Sequence, residues 1–226
     1  MKKLIAAAAG LVFSAGSTFA QEASFDWTGA YVGAQAGYGW SGSDTWAMQN
    51  DTYLAYFPLE PDGLLTGIYL GYNQHLDNGI VLSAEADVTI SNLSSGEAWL
   101  YYPDGTPYPL RNTATSRLEW SGALRARVGY AFGRFLPYAA AGVAAGKYEV
   151  IPDYFDTPPL PGDKTSVGWT AGVGVEYAVT DKLTSRIEYR YTDFGSKTYE
   201  ITGFLTFYTR AELKTHDVRI GIGYRF

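Results

Sequence analysis

Residues 167–179 read Val-Gly-Trp-Thr-Ala-Gly-Val-Gly-Val-Glu-Tyr-Ala-Val. The odd positions carry Val167, Trp169, Ala171, Val173, Val175, Tyr177 and Val179, and the even positions carry glycine, Thr170, Glu176 and Ala178. Strict alternation over this length has the period of a β-strand. The end of the chain repeats it. Val218, Ile220, Ile222, Tyr224 and Phe226 share one face, opposite Asp217, Arg219, Gly221, Gly223 and Arg225. In 118–130, Leu118, Trp120, Leu124, Ala126, Val128 and Tyr130 oppose Glu119, Ser121, Arg125 and Arg127.

Working outward, the same pattern predicts eight strands, at 27–40, 64–75, 80–91, 117–131, 136–150, 165–179, 183–195 and 215–226. The connectors alternate in length. Asp77-Asn78-Gly79, the stretch around Gly133-Arg134, and Thr180-Asp181-Lys182 are tight turns, and Asn-Gly is a strong hairpin signal. The other connectors, 41–63, 92–116, 151–164 and 196–214, are long. Three short turns, four long loops and both termini on the short-turn side are the layout of an eight-stranded antiparallel up-and-down barrel that crosses a membrane.

The apolar faces support that solvent. Tyr72, Tyr130, Tyr177, Tyr224 and Phe226 fall toward the short-turn end, and Trp40, Trp120, Trp169 and Tyr191 toward the long-loop end. Trp169 and Tyr177 are separated by about 26 Å of strand, which matches a tilted strand crossing an apolar band of about 25 Å. In lipid an open sheet edge leaves backbone groups unsatisfied, so the sheet must close.

Composition excludes several classes. The 226 residues include 17 Lys+Arg and 23 Asp+Glu, a formal net charge of -6, which gives nucleic acid no basic patch to engage. There is no cysteine, and hence no disulfide scaffold and no zinc–thiolate site. Aromatic residues make up 16% of the chain and charged residues 18%, so disorder is excluded. Met1-Lys2-Lys3 followed by the apolar run Leu4–Phe13 and Thr18-Phe19-Ala20 reads as a secretory signal peptide over 1–20, cut after Ala20. The barrel domain is then 21–226, with a charge of 15 minus 23, or -8.

If the apolar faces meet lipid, the charges point inward. The acids are Glu85, Asp87, Glu119, Glu176, Glu188 and Asp217; the bases are Arg125, Arg127, Arg186, Arg190, Arg219 and Arg225. An eight-stranded barrel is only wide enough inside for side chains. Equal numbers of acid and arginine predict a mutually neutralising network, because the planar guanidinium pairs carboxylates bidentately and keeps its charge. Glycines such as Gly37, Gly71, Gly172, Gly174, Gly221 and Gly223 leave room for it. The network either plugs the barrel or lines a narrow solute path.

Other motifs fail their context. Gly37-Tyr38-Gly39-Trp40-Ser41-Gly42 spells a dinucleotide-binding pattern, but no helix follows it. Two histidines without paired spacing give no metal site. His75 reads as a solvated residue beside a turn. His216 lies at the long-loop end near the outer leaflet, and Val218, two residues on, is no nucleophile, so no catalytic or cofactor-binding set emerges. The long loops carry aromatics, among them Trp46, Tyr56, Trp99, Tyr102, Tyr154 and Phe207. These either pack on one another where strands extend beyond the membrane or form a surface for a ligand, a host molecule or lipopolysaccharide.

Phe25-Asp26-Trp27-Thr28-Gly29-Ala30-Tyr31-Val32-Gly33, Leu124-Arg125-Ala126-Arg127-Val128-Gly129-Tyr130 and Arg219-Ile220-Gly221-Ile222-Gly223-Tyr224-Arg225-Phe226 resemble the porin-family, opacity-protein-like small outer-membrane barrels, particularly the major surface proteins of alphaproteobacteria. The likeness covers essentially all of 21–226. It implies an integral outer-membrane protein with a structural and surface-exposed role and no enzymatic activity. The alternatives it leaves are a small-solute channel and a receptor for haem or a host ligand, since some relatives bind haemin. The aromatic end at Tyr224 and Phe226 looks like the signal read by the outer-membrane insertion machinery. Lipid and lipopolysaccharide are the expected surroundings.

The leader reading has a direct check. N-terminal sequencing of membrane-isolated protein is expected to begin at Gln21, and an intact Met1 there would contradict it.

Overall fold

The computed structural model describes residues 25–41, 43–49, 52–95, 98–99, 101–107, 113–153, 164–202 and 206–226. The leader expected over 1–20 lies outside them. The strands are β1 (Gly29–Ser41), β2 (Ser43–Gln49), β3 (Thr52–Leu59), β4 (Asp62–His75), β5 (Ile80–Ser94), β6 (Ala98–Trp99), β7 (Thr113–Tyr130), β8 (Phe135–Asp153), β9 (Lys164–Ala178), β10 (Leu183–Thr202) and β11 (Thr206–Arg225). Eight of them, β1, β4, β5, β7, β8, β9, β10 and β11, pair antiparallel with their neighbours. The ring closes where β1 meets β11, from Tyr31 opposite Arg225 to Ser41 opposite Thr215.

Alternation fixes the two surfaces. Leu64 (65% exposed), Ile68, Leu124, Val167 (71%) and Ile222 (67%) point outward, while Gln35, Glu85, Arg125, Glu176 and Arg190 point inward and are buried. A continuous apolar outer wall of this size is not tolerated in water. The tight turns form as the sequence requires. Gly79 adopts φ 83, which an L side chain rarely tolerates, and its N–H donates to the Leu76 carbonyl at 2.9 Å.

The long connectors contain sheet, in line with the reading in which strands extend beyond the membrane. Residues 41–63 contain the β2–β3 hairpin, whose β2 docks on the outer part of β11, with Thr45 opposite Ala211 and Met48 opposite Tyr208. Residues 196–214 are largely β10 and β11 continuing beyond the barrel, paired from Ser196 opposite Glu212 to Thr202 opposite Thr206. Tyr56 of β3 exchanges backbone hydrogen bonds with Tyr101 (2.8 and 2.9 Å), so the first and second long connectors are joined.

The first strand begins at Gly29, and the residues before it close the short-turn end of the barrel. Trp27 is fully buried against Val81, Leu136 and Ala178, with Phe25 and Ala131 packed on this cluster. Its indole N–H donates to the Gly133 carbonyl at 3.0 Å. Arg225 Nη2 donates to the carbonyls of Asp26 (2.6 Å) and Thr28 (3.1 Å), and its guanidinium lies 4.6 Å from the Phe25 ring centre. The Thr28 N–H donates to Asp26 and holds that carboxyl below its ordinary range. His75 is not the solvated residue expected. Its side chain is 16% exposed, with Nδ1 3.6 Å from Asp26 and 3.4 Å from the Trp27 nitrogen, because the N-terminal segment folds back over it.

Candidate functional site

The barrel interior is a layered ion-pair network, built outward from Glu85 on β5. Glu85 Oε1 accepts from Arg125 Nη2 at 2.5 Å. Its Oε2 accepts from Arg127 Nη1 (2.8 Å), Arg186 Nη1 (2.6 Å) and the Tyr31 hydroxyl (3.0 Å). Arg125 and Arg127 lie on β7, beside β5, whereas Arg186 reaches from β10 on the opposite wall. Arg125 also pairs with Glu188 at 2.7 and 3.1 Å, and Arg127 with Glu176 at 2.8 Å. Above this layer Arg190 donates through Nε to Glu188 (2.9 Å) and through Nη1 to both oxygens of Asp87 (3.0 and 3.1 Å). Arg219 grips Asp217 with two prongs, Nε to Oδ1 and Nη2 to Oδ2, and its Nη1 donates to Thr89 at 3.0 Å. Side chains in this network are at most 5% exposed.

Burying these charges singly would be prohibitive; the network answers that cost by giving each carboxylate an arginine. It also uses partners that the charge pattern does not name. Tyr31, Tyr69 and Tyr138 are buried inside the barrel. The Arg186 guanidinium lies 3.5 Å from the Tyr69 ring centre and that of Arg127 lies 3.9 Å from Tyr138. The Tyr138 hydroxyl donates to Glu188 at 2.8 Å, and Gln35 accepts from Arg186 Nη2 at 2.8 Å. A Cβ at Gly33 would sit 2.2 Å from Tyr69 Cζ, so that glycine is there to admit the ring. The sequence carries a signal for these residues. Tyr31 and Tyr69 alternate with glycines on the same parity as Gln35, opposite the apolar face.

Two of the expected network residues stand apart. Glu119 pairs with Lys147 at 3.0 Å and is about a third exposed, because the β7–β8 register shifts between Leu118 and Trp120. The same irregularity turns Leu118 inward (7% exposed), although its sequence parity puts it with the outer face. Arg225 meets backbone carbonyls and aromatic rings at the short-turn end. The salt bridges among the described residues give it no carboxylate partner.

Leu118 joins Leu65, Leu93, Ala144 and Phe194, all buried, above the charged layers. The ionic interior is therefore bounded by an apolar layer on the long-loop side and by the Trp27 cluster on the other. On the outer wall Tyr224 and Phe226 are exposed, with rings 5.3 Å apart, and the Phe226 N–H donates to the Ala30 carbonyl across the seam. His216 stacks on Trp40 (5.9 Å, 12°) and meets the Tyr189 hydroxyl at 2.6 Å, inside an aromatic band with Tyr191 and Trp169.

A match to the outer membrane protein beta-barrel domain extends over residues 5–226. The chain belongs to this family. It is 33% identical over 202 residues to the 25 kDa outer-membrane immunogenic protein of Brucella abortus, covering 89% of this chain and 80% of that protein. It is 33% identical over 206 residues to the 22 kDa outer membrane protein of Rhizobium leguminosarum bv. viciae, covering 88% and 78%. Among solved structures, the outer membrane protein OprG from Pseudomonas aeruginosa shares the fold at 12% identity and a TM-score of 0.54, over 88% of this chain and 96% of that one. This outer-membrane barrel therefore carries its apolar wall in lipid.

The loop aromatics of the family member divide. Tyr56 and Tyr101 pack together, ring centres 5.8 Å apart. Trp99 is 50% exposed and Tyr102 is exposed. Trp46 lies on β2 and Phe207 on β11, and Tyr154 lies outside the described residues.

Removing one member of the network strands a buried charge. Arg125→Ala is expected to lower barrel stability by about 3–5 kcal/mol. Arg134→Ala, at an exposed pair with Asp181, is expected to cost about 1 kcal/mol or less. Urea unfolding of both variants in lipid vesicles checks this, and equal losses would mean that Arg125 is solvated.

Proposed function

We propose that this outer-membrane barrel is a sealed structural protein whose exchange with the exterior is confined to its surface, and not a small-solute channel. One observation carries the reading: arginines and carboxylates from opposite walls join across the lumen, between apolar closures at both ends. A solute crossing it would have to part several buried ion pairs and displace Trp27. Planar-bilayer recording of the refolded protein is expected to show no steady current. A Trp27→Ala, Arg127→Ala double variant, which opens the lower closure and the layer above it, is expected to raise small-ion conductance. Ready conduction by the unaltered barrel would establish the channel reading instead.

The surface role rests on the extracellular wall formed by β2, β3 and the extensions of β10 and β11, with Trp99 and Tyr102 on its connectors. Its exposed aromatics suit contact with lipopolysaccharide or a host molecule better than haem, for which the described residues offer no paired histidines. In this reading the leader over 1–20 serves export, the lumen network braces and fills the barrel, and Tyr224 and Phe226 serve assembly. The terminal aromatics are the part read by the insertion machinery. Tyr224→Ser with Phe226→Ser is expected to reduce outer-membrane assembly more than Ile187→Ser, a mid-strand change on the lipid face. Heat-modifiability of membrane fractions measures this, and full assembly of the double variant would remove the terminal signal from the account.

A further inference from the structure

The lipid-facing wall is not uniform. Its outward side chains form rows that cross the strands. In one row Tyr38 of β1 stands opposite Val218 of β11 and Leu64 of β4; in the next, Ala36 stands opposite Ile220 and Thr66. The second row runs on to Ile90 of β5, opposite Thr66. Large side chains therefore flank two small ones. A groove of about 700 Å³ results, floored by Ala36 and Thr66 and walled by Tyr38, Leu64, Ile90 and Ile220. Ligand sites commonly measure about 300–1,000 Å³.

The polar atoms nearby turn away from the groove. The β4–β5 pairing lapses between Asp62 and Leu65, and the Leu64 N–H there donates to Asn92 Oδ1 at 2.8 Å. A Cβ on Gly63 would sit 2.6 Å from that oxygen, so the Asn92 side chain lies down on the β4 backbone and does not fill the space. The Thr66 hydroxyl donates to the Gln35 carbonyl at 3.2 Å, and the Tyr38 hydroxyl to Asp62. With these groups engaged, the groove offers apolar surface.

Its height identifies what covers it. Tyr38 opposite Val218 is one outward position below Trp40 opposite His216, in the aromatic band of the long-loop end. Two residues of strand, about 7 Å, set the groove in the upper hydrocarbon of the outer leaflet. That leaflet carries lipopolysaccharide. Among lipid tails there is no water to expel, so close packing decides which chain stays. A chain on a flat wall meets protein on one side, whereas a chain in the groove meets it on three. A second copy fits less well, because a twofold contact at this place would set groove against groove.

We propose that this groove is a fixed lipid site that holds an acyl chain of lipopolysaccharide against β1 and β4. The site needs the outer-membrane setting of the wall, and neither the sealed lumen nor the extracellular surface proposed above.

Native mass spectrometry of the full barrel tests this, after gentle detergent extraction from outer membranes whose lipopolysaccharide lacks the O-chain. The unaltered barrel is expected to carry one lipopolysaccharide per chain. Ala36→Phe fills the groove floor and is expected to lower the ratio of bound to free barrel about tenfold. Ala126→Phe places the same ring on an exposed lipid-face alanine of β7, outside the groove, and is expected to leave that ratio unchanged. Heat-modifiability verifies that each variant is folded, and Thr66→Leu fills the floor from β4 if Ala36→Phe does not assemble. An unaltered barrel without bound lipopolysaccharide, or with phospholipid in its place, would overturn the proposal. So would equal retention by the groove-filling and control variants, or paired barrels that Ala36→Phe separates, which would give the groove to a second copy.

Discussion

Glu85 is where the walls of this barrel meet. Two arginines of the adjacent β7 and one from β10 on the far side converge on its two oxygens. The need for such a centre comes from lipid. An exposed strand edge is too costly in hydrocarbon, so eight strands close, and a ring of eight leaves an interior of side-chain width. The outer face must be apolar, which leaves polar groups only the inside. Once there, they must pair with one another. Tyr31, Tyr138 and Gln35 complete that pairing and the interior glycines make room for it.

The apolar boundaries follow from the same constraint. Charges that bridge a lumen attract water unless the ends are closed, and water would weaken every pair between them. Trp27 and its neighbours close one end, and Leu65, Leu93, Leu118 and Phe194 cover the other. Arg225 ties the lower closure to the last strand through the Asp26 and Thr28 carbonyls. Arg225 thus links the end of the β1–β11 seam to the segment that carries Trp27, which couples closure of the ring to closure of its floor.

Much of this was legible in the alternation of 167–179 and 217–226, because a period of two separates lipid from lumen without any knowledge of pairing. Wherever parity ran unbroken, the inward charges followed from it. Parity fails at the Leu118/Trp120 irregularity, and there Glu119 leaves the lumen and Leu118 enters it. A bulge depends on the partner strand, which no single segment reveals. Trp27 reads by alternation as the first residue of a strand over 27–40, whereas the strand begins at Gly29 and Trp27 turns into the cluster with Val81, Leu136 and Ala178, a packing that no single segment reveals. The 41–63 and 196–214 stretches have turn and aromatic composition, and only their docking on β11 and on each other makes them sheet. Tyr31 and Tyr69 share the parity of the inward glycines, and only their pairing with arginines and carboxylates distinguishes them from lipid-facing aromatics.

A double-mutant cycle on Glu85 and Arg186, which join opposite walls, tests the dry, cross-braced interior most directly. Unfolding free energies of Glu85→Gln, Arg186→Met and the pair would be measured in vesicles. The account predicts that the double variant loses less than the sum of the single ones, by a coupling of about 1–3 kcal/mol. Additive losses would show that the two side chains are separately hydrated and that no ion pair braces the barrel.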